Sequence, residues 1–261
     1  MEREDRLSRL VDYIVDNGSV RVEEVMERFG VSPATARRDL DTLADQQLVT
    51  RTRGGAMANS SSGDLPLRYR SVRHGGAKRA IASKVAELVE PGTAIAFNGG
   101  TTTTTAAYEV GVRSASDPRF AQEETTVITN AVNIANDLIV RPQLRIVVVG
   151  GVARMRSYEL IGPLSSLILP AINIDTLFLG VTAIDPARGI FTQDDGEATI
   201  NAALMKAARR TVVVADSSKF DTTAFARIAG LEEADALLTD AGVTEDQAAA
   251  VRAAGVELIV A

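Results

Sequence analysis

The spacing of apolar residues changes near residue 60, and this change constrains the fold more than any other feature. Before it, apolar side chains recur at helical spacing, without the long apolar run of a buried strand. From residue 74 onward, short apolar runs alternate with helical patterns. The segment 59–73 begins Asn59-Ser60-Ser61-Ser62-Gly63-Asp64, a composition typical of a linker. We therefore predict one domain over residues 1–58 and a second over residues 74–261.

The first domain has the pattern of three helices followed by a small hairpin. Apolar residues at helical spacing predict helices over 7–15 and 22–29. Ser32-Pro33 then starts the third helix, because serine is a favoured N-cap and proline a favoured first helical residue. Residues 48–53 alternate like a strand, and Gly54-Gly55 turns the chain back. This order predicts a winged helix-turn-helix.

The second domain has the pattern of an α/β fold around a mostly parallel sheet, because strands alternate with helices. Residues 111–126 are long and polar, and we expect them to form a surface insertion. The predicted strands are 93–97, 127–129, 144–149, 175–179, 211–215, 236–238 and 256–260, and the predicted helices are 80–89, 104–110, 131–140, 163–171, 197–208 and 244–254.

Composition excludes several classes of site. The 261 residues include no cysteine and one histidine, which excludes disulfides, thiolate metal sites and centres built on several imidazoles. We therefore expect no metal and no other cofactor. The chain begins without a signal peptide and has no apolar stretch approaching about 18 residues, so we expect a cytoplasmic protein without membrane contact.

Positive charge is concentrated where the predicted domains meet. The whole chain has a net charge of −6, yet residues 51–79 contain seven basic side chains and one acidic side chain. The electrostatic attraction of a phosphate backbone depends on the charges close to it and not on the net charge of the whole chain. The predicted wing lies at the start of this segment, so its charge favours binding to nucleic acid.

The third helix presents polar residues suited to DNA. Arg38 lies opposite the apolar stripe, and an arginine fork in this part of a helix-turn-helix matches the two acceptors of guanine. Arg51 and Arg53, one strand period apart, are expected to meet phosphates or the minor groove. Alternatively, Arg37 and Arg38 belong to a solvated face beside Asp39 and Asp41. The predicted DNA-binding residues are Ser32, Ala34, Thr35, Arg37, Arg38, Arg51 and Arg53.

A glycine-rich turn in the second domain has the chemistry of an anion site. Asn98-Gly99-Gly100-Thr101-Thr102-Thr103 follows an apolar strand and precedes a helix. Such a turn offers backbone N–H groups and the positive end of the helix dipole, and threonine hydroxyls add donors. The spacing matches neither a Walker A loop nor a dinucleotide fingerprint. A plain strand-to-helix turn with capping threonines is the alternative.

Polar residues after other strands should gather at the same edge of the sheet. Lys219 could neutralise a phosphate and Asn130 could hold a sugar hydroxyl, although Asn130 could equally cap a helix. Glu197 is either a first-turn helix residue or a partner for hydroxyls. Lys78 either points into the site or lies on a solvated helix face. The predicted effector-binding residues are Lys78, Asn98, Gly99, Gly100, Thr101, Thr102, Thr103, Thr129, Asn130, Gly151, Glu197 and Lys219.

Both halves of the chain resemble one family. The segment Val31-Ser32-Pro33-Ala34-Thr35-Ala36-Arg37-Arg38-Asp39-Leu40, with Arg51-Thr52-Arg53-Gly54-Gly55-Ala56, resembles the DeoR family of bacterial sugar-responsive repressors. The second half resembles the family's sensor domain, which is similar to sugar-phosphate isomerases. Its matching pieces are Lys78-Arg79-Ala80-Ile81-Ala82, Gly99-Gly100-Thr101-Thr102, Thr129-Asn130, Gly150-Gly151 and Asp216-Ser217-Ser218-Lys219-Phe220. The chain departs from the family at Ala36, Arg53 and Asn98, where isoleucine, histidine and aspartate are common.

The resemblance implies a transcriptional repressor of carbohydrate genes. Its partners would be double-stranded operator DNA and a phosphorylated sugar that controls operator affinity. Because an operator with two half-sites needs two heads, we expect a homo-oligomer, a dimer or a tetramer, joined through the α/β domain. The alternative is an isomerase, for which Glu197 or Asp195 would be the general base. We favour the regulator, because resemblance of fold alone does not imply catalysis.

Overall fold

The computed structural model describes residues 3–45, 48–58 and 75–261. The chain divides into two compact units, Met1–Gly75 and Gly76–Ala261. The predicted linker at 59–73 lies outside the described residues, so its bounds stay a prediction.

The first unit packs three helices against a small antiparallel sheet. Its core contains Leu10, Ile14, Leu40 and Leu43, all fully buried. The helices and the wing strands were predicted, but the strand Ser19–Arg21 was not, because it has only three residues. The elements are α1 (Arg3–Asn17), β1 (Ser19–Arg21), α2 (Val22–Phe29), α3 (Pro33–Asp45), β2 (Val49–Thr52) and β3 (Gly55–Ala58), with sheet order β1-β3-β2.

The second unit is built on a seven-stranded sheet in which every neighbouring pair is parallel. The predicted α/β fold class is therefore confirmed. The strands, in the order in which they lie in the sheet, are β15 (Glu257–Val260), β14 (Ala236–Thr239), β12 (Ala208–Val214), β9 (Ile174–Gly180), β4 (Ala94–Phe97), β5 (Thr125–Thr129) and β6 (Leu144–Val148).

Helices flank this sheet, and apolar cores fill both of its faces. Alternate residues of one strand enter different cores: Ile95 and Phe97 pack on one side, and Ala96 packs on the other. In the described residues, no helix is long and apolar enough to cross a membrane. The helices are α4 (Gly75–Leu88), α5 (Thr101–Ser116), α6 (Arg119–Gln122), α7 (Val132–Leu138), α8 (Asp195–Ala207) and α9 (Glu245–Ala253), with 3-10 turns at Ser217–Lys219 and Leu231–Glu233.

Two small sheets were not predicted, because their strands are too short to show a clear alternation. The strands β7 (Val152–Arg154) and β8 (Glu159–Ile161) form a hairpin. The strands β10 (Ala183–Asp185), β11 (Gly189–Thr192) and β13 (Ala226–Ala229) form an antiparallel sheet.

Two expectations about helices are wrong. The helix expected over 163–171 is instead two 3-10 turns, Pro163–Ser166 and Leu169–Ala171. Pro170 opposes a continuous helix there, because it has no N–H and its ring clashes with the carbonyl four residues earlier. Residues 111–126 are not a surface insertion, since α5 continues to Ser116 and the Phe120 ring is buried.

Neighbouring strands bring three turns together at the carboxyl edge of the sheet. The order β9-β4-β5 places the residues after these strands side by side. Those residues are Gly180 at the end of β9, Asn98 after β4 and Asn130 after β5. The fold therefore gathers most of the predicted anion site at one position.

Candidate functional site

The exposed face of α3 carries the predicted DNA-contacting residues. Ser32, Ala34, Arg37 and Arg38 are exposed, and Thr35 is half-buried. The Ser32 hydroxyl caps the helix by accepting a hydrogen bond from the Thr35 backbone N–H at 3.2 Å. Within residues 3–45 and 48–58, neither Arg37 nor Arg38 makes an ion pair. Both arginines are therefore available to a partner molecule.

Asp39 belongs to the core of the first unit and not to a solvated face. Its carboxylate lies 2.7 Å from Arg6 Nε and 3.3 Å from Arg6 Nη2, and its side chain is 2% exposed. Hydrogen bonding to Asp39 raises the pKa of the Arg6 guanidinium. The alternative of a solvated face therefore holds for the exposure of Arg37, Arg38 and Asp41, but it is wrong for Asp39, which ties α3 to α1.

The two wing arginines differ in their surroundings. Arg51 Nε lies 2.8 Å from Asp41 Oδ1, and its Nη1 donates to the carbonyl of Gly55. Arg53 lies at the hairpin turn and is exposed. Arg51 thus links the wing to α3, whereas the exposed side chain of Arg53 suits a phosphate.

In the second unit, Gly100 is the N-cap of α5, and its φ of +137° favours glycine. The hydroxyls of Thr103 and Thr104 donate to the Gly100 carbonyl at 3.2 and 2.6 Å. These two hydroxyls therefore bond back to a carbonyl of their own first turn and cap none of its free N–H groups, so the expected capping threonines are not found there. The donors that remain for an anion are the first N–H groups of α5, which no helix can satisfy internally, together with Thr101 and Thr102.

Asn98 links the ends of two strands. Its Oδ1 accepts from the Gly180 N–H at 2.7 Å, and its Nδ2 donates to the Gly180 carbonyl at 2.9 Å and to Asn201 Oδ1 at 3.2 Å. The side chain is buried. Asn98 therefore positions the turn after β4, and its amide is already engaged in doing so.

Glu159, on the hairpin strand β8, is a residue that the sequence argument missed. Its Oε1 accepts from the Gly99 N–H at 3.0 Å and from Asn130 Nδ2 at 3.4 Å. Burial, followed by the negative charge of Glu197, raises the pKa of Glu159 to about 8. A protonated carboxyl group therefore lies on the predicted anion turn near neutral pH.

Glu197 lies in the first turn of α8 and also borders this cluster. Its carboxylate accepts from Thr192 Oγ1 at 2.7 Å and from Arg154 Nη1 at 2.9 Å. Asp194 caps α8 through the Glu197 N–H at 3.1 Å and pairs with Arg154 Nε at 3.1 Å. Glu197 is therefore a first-turn helix residue, and its role as a partner for sugar hydroxyls stays a prediction.

The remaining predicted residues have different surroundings. Thr129 is buried, and its hydroxyl accepts from the Ala131 N–H at 3.0 Å. Lys78 is buried on α4, which excludes the solvated face, and Lys219 is half-buried on its 3-10 turn. Gly151 has a φ of +145°, and a Cβ there would lie 2.1 Å from Ser165 Oγ. The hydrogen bonds above join Gly99, Asn130 and Glu159, while Asn98, directly before Gly99, bonds to Gly180 and Asn201. Thr129 bonds within the turn after β5 instead, and Gly151, Lys78 and Lys219 lie on other turns and helices.

No metal site is evident in the part of the chain that the structure describes. No group of three or more histidine, aspartate or glutamate side chains in those ranges could hold a metal ion. The cluster at the sheet edge instead offers N–H groups, amides and carboxyl groups, which suit a ligand with both an anionic group and hydroxyls.

Comparison with known proteins gives one consistent family. Residues 6–62 match the DeoR-like helix-turn-helix domain, and residues 73–241 match the DeoR C-terminal sensor domain. The glycerol-3-phosphate regulon repressor of Escherichia coli K12 is 32% identical over 241 residues, covering 92% of each chain. The HTH-type transcriptional regulator GlpR of Haloferax volcanii is 31% identical over 258 residues, covering 98% of this chain and 96% of that protein.

A solved structure also resembles part of the chain. Ribose 5-phosphate isomerase A of Methanocaldococcus jannaschii is 18% identical, with a TM-score of 0.40, over 55% of this chain and 53% of that one. A similarity this weak carries no argument about the site.

Proposed function

Because this chain belongs to the DeoR family of transcriptional regulators, we propose that it represses carbohydrate genes and that a phosphorylated sugar controls its operator affinity. The relatives named above are transcriptional regulators, and their alignments cover at least 92% of this chain. The isomerase alternative is therefore wrong. Under this proposal the protein acts in the cytoplasm on double-stranded DNA.

The observation that carries the DNA-binding part is α3, a capped helix with exposed Arg37 and Arg38 at its polar end. We expect salt-sensitive binding to DNA upstream of the protein's own or adjoining genes, since lysine and arginine contacts release counterions. Fluorescence anisotropy at several salt concentrations measures this, with unrelated DNA of equal length as the control. Equal affinity for both DNAs would contradict an operator-binding role.

The observation that carries the effector part is the cluster of Gly99, Asn130 and the start of α5 at the sheet edge. A phosphate would take the free N–H groups of α5, and hydroxyls would take the neighbouring amides and carboxyl groups. We expect phosphorylated sugars, including glycerol 3-phosphate, to raise the melting temperature of the protein. At 100 times the dissociation constant the gain is about 2.7 kcal/mol.

The matched control for that screen is each sugar without its phosphate, which should give a smaller shift. A compound that binds should also change operator affinity, by ~1–3 kcal/mol for a typical coupling. A screen in which phosphorylated and unphosphorylated sugars behave alike would contradict the phosphate site.

We also propose that the protein is a homo-oligomer, because two half-sites require two heads. The surface proposed for the second copy is the segment 152–167 of the second unit, which exposes Val152, Met155, Leu164 and Leu167. Light scattering after gel filtration should give a dimer or a tetramer. Met155→Lys with Leu167→Lys should weaken the assembly, whereas Phe225→Lys, outside this segment, should not. A wild-type monomer at operator-binding concentrations would refute the proposal.

A further inference from the structure

The backbone N–H of Gly99 is already occupied by a side chain of this protein. Glu159 Oε1 accepts from it at 3.0 Å. A Cβ placed on Gly99 would lie 2.3 Å from the Cγ of Glu159, so the glutamate arm lies directly against the glycine. An N–H in a glycine turn before a helix is a donor that phosphate oxygens use. Glu159 therefore holds a position that suits a ligand oxygen.

Asn130 gives a second, independent indication of a ligand at this position. Its side chain is fully buried, and its Nδ2 donates to Glu159 Oε1 and to the Leu160 carbonyl. Its Oδ1 has no hydrogen-bond partner among the described residues. Buried polar atoms are rarely left unpaired. A ligand hydroxyl beside Glu159 would supply the missing donor.

The segment that carries Glu159 has a strained backbone, and buried hydroxyl groups in and near it lack hydrogen-bond partners. Tyr158, directly before it, has a φ of +60°, which is unfavourable for a bulky residue. In the described ranges, the buried hydroxyls of Ser157 and Ser165 also lack hydrogen-bond partners. The free energy that a ligand needs to displace Glu159 from Gly99 is therefore reduced.

We propose that Glu159 is a specificity-determining residue of the effector site, because its carboxyl group fills the ligand position at Gly99 and a ligand must displace it. This inference rests on the proposed function, in which an anion binds at the start of α5. Inorganic phosphate gains only the N–H contacts and competes poorly. A phosphorylated polyol adds hydroxyl contacts to Asn130 and Glu197, so Glu159 selects for polyol phosphates. The apparent dissociation constant equals the intrinsic one divided by the displaced fraction.

The charged groups around Glu159 determine how pH acts on this exchange. Glu197 faces it from α8, and Arg154, opposite Glu159 in the hairpin, binds Glu197 and the N-cap Asp194. The turns after β4 and β5 contribute the neutral Gly99 and Asn130. In place, Glu159 has a pKa of about 8. Displaced into water, it would have the ordinary pKa of a glutamate, about 4.3.

The sign of the pH effect follows from these two pKa values. Between them, the filled arrangement binds a proton that the displaced arrangement releases. Raising the pH from about 5.5 to about 7.5 therefore favours displacement of Glu159, and the effect levels off above about pH 8. A glutamine at this position cannot ionise, so it should stay in place across the whole range.

Titration calorimetry with inorganic phosphate on the full chain tests the proposal, using Glu159→Ala, Glu159→Gln and Glu257→Gln. Glu159→Ala removes the competing group and should bind phosphate at least about tenfold more tightly than the wild type. Glu159→Gln should bind more weakly than the wild type at pH 7.5. Glu257 is exposed at the opposite edge of the sheet, so Glu257→Gln should match the wild type.

The outcomes separate this inference from the proposed function. If no sugar phosphate binds the wild type, the proposed function fails. If one does bind, yet Glu159→Ala binds inorganic phosphate no more tightly than the wild type, the role of Glu159 alone is refuted. Should Glu159→Ala fail to fold, the sugar phosphate that binds the wild type is titrated into Glu159→Gln. The association constant of that sugar phosphate for the wild type, divided by its association constant for Glu159→Gln, must rise from pH 5.5 to 7.5. A ratio that stays constant overturns the proposal.

Discussion

Replacing Arg6 with alanine tests the buried ion pair that joins α1 to α3. Arg6 makes two hydrogen bonds to the Asp39 carboxylate, at 2.7 and 3.3 Å. The side chains of Arg6 and Asp39 are 15% and 2% exposed. The substitution removes the guanidinium and leaves the carboxylate in the core without its partner.

The expected loss is about 3 kcal/mol. Removing one partner of a buried pair costs about 3–5 kcal/mol, and the partial exposure of Arg6 places this case at the lower end, since water can reach the carboxylate. A domain of this size has about 3–8 kcal/mol of stability, at roughly 0.05–0.15 kcal/mol per residue. The substitution should therefore remove a large part of the stability of the first unit.

Hydrogen exchange measured by mass spectrometry on the full chain reports this loss locally. A change of about 3 kcal/mol corresponds to about a hundredfold faster exchange of the protected amides in α1 and α3. Arg3→Ala is the matched control on the same helix, because its guanidinium makes an exposed hydrogen bond to Thr42 Oγ1. That control should change stability by less than about 0.5 kcal/mol.

The double variant Arg6→Ala with Asp39→Ala decides whether the pair itself is responsible. The double variant has no unpaired carboxylate in its core. Its loss of unfolding free energy should therefore be smaller than the sum of the losses in the two single variants. If Arg6→Ala is as mild as Arg3→Ala, or if the two losses simply add, the reasoning is wrong.

Three further predictions concern the two sites. Asn98→Asp removes the donor to the Gly180 carbonyl, so thermal unfolding should show a loss of about 1–3 kcal/mol at pH 7, partly recovered in acid as the carboxyl regains a proton; unchanged stability would contradict the role given to this amide. Arg38→Ala should weaken operator binding by ~1–3 kcal/mol and relax specificity at one base pair, whereas Arg209→Ala, on the second unit, should not. Arg53→Ala should weaken binding to all DNA alike and lower the salt slope by about 1, and a sequence-dependent loss would contradict a phosphate contact.

The features that could be predicted from the sequence are those set by local signals. The start of α3 follows from Ser32 and Pro33, whose cap and fixed backbone angle act within one turn. The inner strands β4, β5 and β14 are largely buried on both faces, and such apolar runs stand out in a sequence without knowledge of their neighbours.

The features that could not be predicted depend on contacts between distant residues. Glu159 lies 60 residues from Gly99 and 29 from Asn130, and a single acid after Ser157-Tyr158 looks like part of a surface turn. Only the fold of the hairpin brings it to the sheet edge. Asp39 was placed on a solvated face for the same reason, because its partner lies 33 residues away.

Asn98 illustrates a departure from the family pattern that the structure explains. An ionised aspartate can accept from the Gly180 N–H but cannot donate to the Gly180 carbonyl, whereas an amide does both. The loss of a negative charge next to the anion turn is therefore accompanied by a firmer connection between β4 and β9.

The contact of Arg51 with Asp41 and the Gly55 carbonyl has a consequence for how the first unit meets DNA. It links the hairpin to α3, the helix proposed to face the bases, before any duplex arrives. The entropy of ordering these two elements is then lost during folding and not during association. Binding is therefore tighter at DNA sites whose groove geometry fits this arrangement, and weaker at sites that would require the hairpin tip to shift.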